Sequence, residues 1–199
     1  MRIIILFILL LSNSFAQISQ GGIPRYYDRD ISIDFIEPNR DNLVDRDFDP
    51  MIFQFGDEYQ MNIDVMQIAN PIYEDGIYTY TLGIKSQGAY GIGIIFDDFY
   101  LSDNSSLFIY DQEQTMFLGS FTSENNKDSF VFPTSIAKSD HIIIELNVPE
   151  DEIDMVRLNI GTIIHDYEDI MGYFDDSHGS TREDCNINVA CPEGDDFQD

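Results

Sequence analysis

An all-β fold, two antiparallel sheets packed as a β-sandwich or jelly roll, is what this chain predicts, and three features predict it. About nine short segments alternate apolar and polar residues or run as compact apolar stretches rich in Ile, Val, Phe and Tyr. Gly, Asn, Asp or Pro punctuates the chain between them. No apolar stripe at helical spacing and no internal repeat is visible, which sets aside bundles, propellers and solenoids.

Taken in order, the chain divides into 1–16, 17–50, 51–165, 166–184 and 185–199. Residues 1–16 read as a secretory signal peptide. Met1-Arg2 supplies a basic start, 3–11 is an unbroken apolar run, and Ser14 and Ala16 form the small-x-small exit that signal peptidase accepts, with cleavage after Ala16. The run is too short to span a bilayer, which takes about 20 residues. No later stretch reaches that length, so the mature protein is expected to be exported, with no visible membrane anchor. From 17 to 50, Gly21-Gly22, Pro24, Pro38 and frequent Asp and Arg read as an irregular, extended, loosely packed lead-in, with one short strand over 31–36. Asp45-Arg46-Asp47-Phe48-Asp49 begins like a calcium loop, but Pro50 and Gly56 stand where the loop needs its Gly and its bidentate Glu.

Strands are expected over 51–55, 61–65, 77–85, 90–96, 107–110, 115–118, 129–132, 141–148 and 156–164. In 77–85, Tyr78, Tyr80, Leu82 and Ile84 share the core face, while Thr79, Thr81 and Lys85 share the other. Gly91 and Gly93 mark a close approach of other atoms to the strand over 90–96. Residues 111–114 turn a hairpin, and Val156, Leu158, Ile160 and Ile164 share a face in the last strand. The pattern stops after His165. Residues 166–184, acidic and carrying Gly172 and Gly179, read as an exposed linker into a disordered C-terminal tail.

With 37 acidic against 10 basic residues the net charge is −27. Such a surface repels nucleic-acid phosphates and anionic headgroups, so neither class of partner is expected. The sequence holds no G-x-S-x-G, H-E-x-x-H or P-loop, and no catalytic, metal or cofactor site is expected. Ser177 and Ser180 lie near His178 without a rigid base to orient them. His165 beside Asp166 lacks a nucleophile in view, and Asp97-Asp98 is the kind of acid pair that chance supplies in so acidic a chain. The only cysteines are Cys185 and Cys191. In an exported chain they read as disulfide partners, of each other in a small loop or of thiols elsewhere. One functional reading of such a chain is a free-standing β-sandwich that binds a glycan or a cell-surface protein. Eleven tyrosines favour it and the absence of Trp, the usual sugar platform, opposes it.

The segment Cys185-Asn-Ile-Asn-Val-Ala-Cys191-Pro-Glu-Gly194 resembles the start of the mature protease domain in secreted bacterial trypsin-like serine endopeptidases of the lysyl endopeptidase type, where C-N-[IV]-x-V-x-C-P-E-G opens the catalytic domain. More loosely, the region from about Gly76 to Pro149 is similar to that family's pro-region, notably Ser106-Leu-Phe-Ile-Tyr110 and Gly119-Ser-Phe-Thr122 with Asn125. The resemblance implies a zymogen: signal peptide, β-rich pro-domain over 51–165, processing linker, then protease. It implies that Cys185 and Cys191 pair with cysteines further along the protease, and that the catalytic His, Asp and Ser lie beyond Asp199, so the present chain carries no triad and is inactive by itself. Processing is expected between Asp176 and Asp184, around Ser177, Gly179, Ser180 and Arg182. The implied partners are the chain's own downstream protease domain and, for the full-length enzyme, protein substrates.

Overall fold

Period-two alternation does assemble this chain into sheets. The computed structural model describes residues 17–27, 29, 31–45 and 53–173. Ala16, Ser177, Gly179, Ser180, Arg182, Cys185 and Cys191 lie outside the described residues, as does the calcium-like loop after Asp45.

The strands are β1 (Phe35–Ile36), β2 (Gly56–Asp64), β3 (Ile72–Glu74), β4 (Ile77–Lys85), β5 (Gly91–Tyr100), β6 (Ser106–Asp111), β7 (Phe117–Phe121), β8 (Phe132–Pro133), β9 (His141–Pro149) and β10 (Arg157–Asp166). The first sheet runs β1-β4-β9-β6-β7, with β3 also paired to β4; the second runs β2-β10-β5-β8. Every pairing is antiparallel except β1 with β4. The fold is all-β. Among the described residues two one-turn helices, α1 (Val65–Ile68) and α2 (Ile170–Tyr173), and three 3-10 turns accompany the strands.

Both sheets feed one apolar core. Leu82, Ile84, Leu107, Ile109, Ile144 and Leu146 from the first join Ile94, Phe96, Phe99, Ile160 and Ile163 from the second. Each such side chain contributes roughly 1.5–3 kcal/mol by leaving water. Aromatic rings bridge the sheets: Phe132 stacks on Phe99 at 4.4 Å and meets Phe121 of β7 edge-on at 5.0 Å. Tyr80, Leu82 and Ile84 face this core as expected.

Several local expectations are corrected. Phe53–Phe55 are not in a strand; β2 starts at Gly56, where a Cβ would lie 2.7 Å from the His165 carbonyl oxygen. The same strand ends at Asp64, whose carboxylate caps α1 by accepting the N–H of Met66 and Gln67. The hairpin β3–β4 turns on Asp75-Gly76, both at positive φ (54° and 78°), the two-residue signal that fits strand twist. Ser129 ends a turn and Phe130 takes positive φ (56°), so 129–131 form no strand and β8 is only two residues long. In β10 the register slips between Ile160 and Thr162. That bulge passes the core position from Ile164 to Ile163, which is fully buried. The β-pattern ends at Asp166 as expected, yet 166–173 are not bare linker. Tyr167 N–H donates to the Phe55 carbonyl, and the Asp166 carboxylate accepts the N–H of Glu168 and Ile170.

The largest correction concerns the lead-in. It is irregular, with turns at 25–27 and 40–42, but not loose. Residues 18–21 run along the free edge of β7, and 25–27 cross the outer face of the first sheet. Asp34 accepts the Gly83 N–H beside β1, and Val44 donates to Glu58 along the edge of β2. A segment without a core of its own therefore covers edges of both sheets, which would otherwise present unpaired N–H and C=O groups.

Candidate functional site

The centre of β9 carries a carboxylate in an otherwise apolar run, Ile142-Ile143-Ile144-Glu145-Leu146. Register places Glu145 between Thr81 of β4 and Phe108 of β6, on the outer face of the first sheet. Its exposure is 0%. A bare charge there costs several kcal/mol, so donors must meet it.

Four donors do. Oε1 accepts the backbone N–H of Arg25 at 2.6 Å and the Asn147 amide at 3.0 Å. Oε2 accepts the backbone N–H of Tyr26 at 3.1 Å and the Tyr110 hydroxyl at 3.2 Å. Thr79 donates to the Asn147 carbonyl oxygen at 2.7 Å and so turns the amide's N–H toward Glu145. Burial, and then the neighbouring Glu145 charge, hold the Tyr110 phenol far above its ordinary pKa, which keeps it a donor. Burial likewise raises Tyr26, with Glu74 adding to the effect.

Upstream, the arm is gripped by its backbone again. Asn125, buried at the 3-10 turn after β7, accepts the Ile18 N–H and donates to the Ile18 carbonyl, both at 2.9 Å. Gln20 N–H donates to Ser120, and Ser120 N–H donates to Gly21, at 3.0 and 3.1 Å. Gly21 and Gly22 take positive φ, 74° and 99°, and Gly22 passes over the Phe108 ring. Ser19 donates to the Gly119 carbonyl and Tyr27 to that of Gln114. The Tyr27 ring stands edge-on to Tyr110 at 5.5 Å and Phe117 at 5.9 Å. At the outer rim Arg29 pairs with Glu74 at 2.9 Å, an exposed contact that solvent screens.

This arrangement holds a peptide backbone, laid along β7 over 18–21 and turned at 25–27; the Glu145 carboxylate is enclosed by its donors. Sequence reasoning passed over Glu145 and Asn147, although a lone Glu inside an apolar strand is itself a signal that buried donors await it. Phe108, Tyr110, Gly119, Ser120 and Asn125 all contact the arm or build its dock, whereas Leu107, Ile109 and Phe121 face the main core.

The other residues singled out in sequence stay apart. His165 does find a hydroxyl: its Nδ1 lies 2.7 Å from Ser86 Oγ. Ser86 is buried, and the Asp166 oxygens bind backbone N–H groups rather than the imidazole, so the pair ties the end of β4 to the end of β10. Asp97 accepts from Asn159 and Asp98 from Arg157, so these carboxylates do not act on one another. Among the described residues no group of three His, Cys, Asp or Glu could hold a metal, and no helix is long and apolar enough to cross a membrane. No protein-family model matches the sequence, and no solved structure gives a significant match.

Proposed function

We propose that this chain is the N-terminal pro-region of a secreted trypsin-like serine endopeptidase, keeping the protease latent, assisting its folding, or both. The observation that carries this reading is the segment 185–194, Cys-Asn-Ile-Asn-Val-Ala-Cys-Pro-Glu-Gly, with its family spacing of cysteines, proline and Glu-Gly. An all-β unit ahead of that segment supports it, because a slow-folding, high-contact-order protease gains most from a preformed partner. The net charge of −27 supports it as well, since an acidic pro-domain complements a basic protease face.

Two measurements test the proposal. The coding sequence after Asp199 is expected to supply His, Asp and Ser in that order, the last in a Gly-Asp-Ser-Gly-Gly-like setting; a frame without them overturns it. Intact-mass analysis of the secreted product is expected to place the cleavage between Asp176 and Asp184. A terminus elsewhere removes the processing assignment to Ser177, Gly179, Ser180 and Arg182.

A further inference from the structure

We propose that the β7 edge and the outer face of the first sheet form a binding groove for a peptide that runs along β7 and then turns over Glu145, and that residues 17–27 occupy it as a tethered, exchangeable ligand. The inference is independent of whether a protease follows.

Three observations separate ligand from scaffold. The main core, built from both sheets, includes none of residues 17–27; the arm packs instead on the small separate cluster of Phe108, Tyr110 and Ile143, through Tyr27. The dock is organised by its own residues before the arm arrives. Thr79 orients Asn147, Tyr110 and Asn147 already donate to Glu145, and Asn125 is fixed by its N–H to the Thr122 carbonyl. Such preorganisation lowers the cost of ordering a ligand. Finally, the dock reads backbone. Glu145 takes two consecutive N–H groups, Asn125 pairs with both backbone groups of Ile18, and Ser120 exchanges backbone bonds with Gln20 and Gly21. Along β7 this is strand addition to a sheet edge; at 25–27 the peptide turns, which aims two consecutive N–H groups at one carboxylate.

Side-chain selectivity comes from two adjacent aromatics. Tyr26 is buried, and Tyr27 stands against Tyr110 and Phe117 with its hydroxyl on the Gln114 carbonyl. Glu74 meets Arg25 and Arg29 on either side of them. The groove therefore takes a basic–aromatic–aromatic turn, and with the arm released Glu145 keeps only the Tyr110 and Asn147 donors until such a peptide returns.

The test uses the whole chain and a labelled synthetic peptide of residues 17–29. In the unaltered protein the tethered arm competes at an effective concentration of about a millimolar, so added peptide binds poorly. Tyr26→Ala/Tyr27→Ala weakens the arm and leaves the dock intact. It is expected to bind the peptide with a half-saturation concentration at least tenfold lower than the unaltered protein. The same peptide N-methylated at Arg25 and Tyr26 is expected to lose at least tenfold in binding, which only recognition of the two N–H groups predicts. A variant that keeps its β-sheet circular dichroism yet binds no better than the unaltered protein overturns the proposal. So does a variant that unfolds outright, since the arm is then part of the fold, or an N-methylated peptide that binds as well as the plain one.

Discussion

Glu145 accepts the backbone N–H of Tyr26 at 3.1 Å across 119 residues of chain, with its carboxylate wholly buried. Hydrogen bonds to a charged group contribute about 1.5–3 kcal/mol each, and an unmet buried charge costs more. Glu145→Gln keeps the shape but replaces one acceptor oxygen by a donor that faces other donors. It is expected to lower stability by about 1–3 kcal/mol in urea unfolding. Amide exchange at Arg25 and Tyr26 should rise well above that of Ile143 and Ile144. Equal protection in variant and parent would show that Glu145 does not hold the arm.

Asp111 closes the turn between β6 and β7, accepting the N–H and hydroxyl of Thr115 and the N–H of Met116. Burial alone pushes its carboxyl upward. The Thr115 hydroxyl and the Met116 and Thr115 amides outweigh it, and the net position lies below the ordinary value. A depressed folded pKa stabilises above the unfolded value of about 4 and loses that contribution as pH falls through the folded one. Asp111→Asn is therefore expected to be destabilising at pH 7, with the difference from the parent shrinking below about pH 4. Urea midpoints at a series of pH values check the sign; a gap that widens in acid contradicts it.

The slip in β10 makes neighbouring isoleucines unequal. Ile163 is expected to cost about 2–5 kcal/mol when cut to Ala, the range for a packed core position. Ile164, half-buried on the opposite face, should cost about 1 kcal/mol. Chemical denaturation of both variants decides it, and the reverse order would place the bulge elsewhere.

Gly83 lies under the ring of Phe35, where a Cβ would come within 2.6 Å of Cε1. Gly83→Ala is expected to cost about 1–3 kcal/mol by pushing β1 off β4. In a Phe35→Ala background the same change should cost nearly nothing, a coupling that a double-mutant cycle reads directly. Additive effects would refute the contact.

Replacing the Ser86 hydroxyl, which bridges to His165 at 2.7 Å, tests a pairing that superficially invites a catalytic reading. Ser86→Ala is expected to cost about 0.5–1.5 kcal/mol, as one ordinary hydrogen bond between strand ends. Ester or peptide hydrolysis by the isolated chain that vanishes in this variant would contradict a purely structural role.

By itself the sequence determined the all-β class and the placement of the long strands. Ile77–Lys85 and His141–Pro149 were legible because strand faces repeat every two residues and their apolar content is local information. It also contained the Asp75-Gly76 turn signal, overlooked because the flanking β3 is so short. Tertiary structure alone decided the rest. The bulge that exchanges Ile164 for Ile163 depends on what two neighbouring strands offer at Gly161, not on the strand's own alternation. The composition of 17–45, with Gly21-Gly22, two prolines and frequent Asp and Arg, reads as loose because few apolar residues announce a core, yet much of its order comes from backbone groups, which composition does not encode. A lone Glu145 in an apolar run states that donors are needed. Which donors answer was set by contacts over a hundred residues distant, where only the closed fold brings Arg25 and Tyr26 to its oxygens.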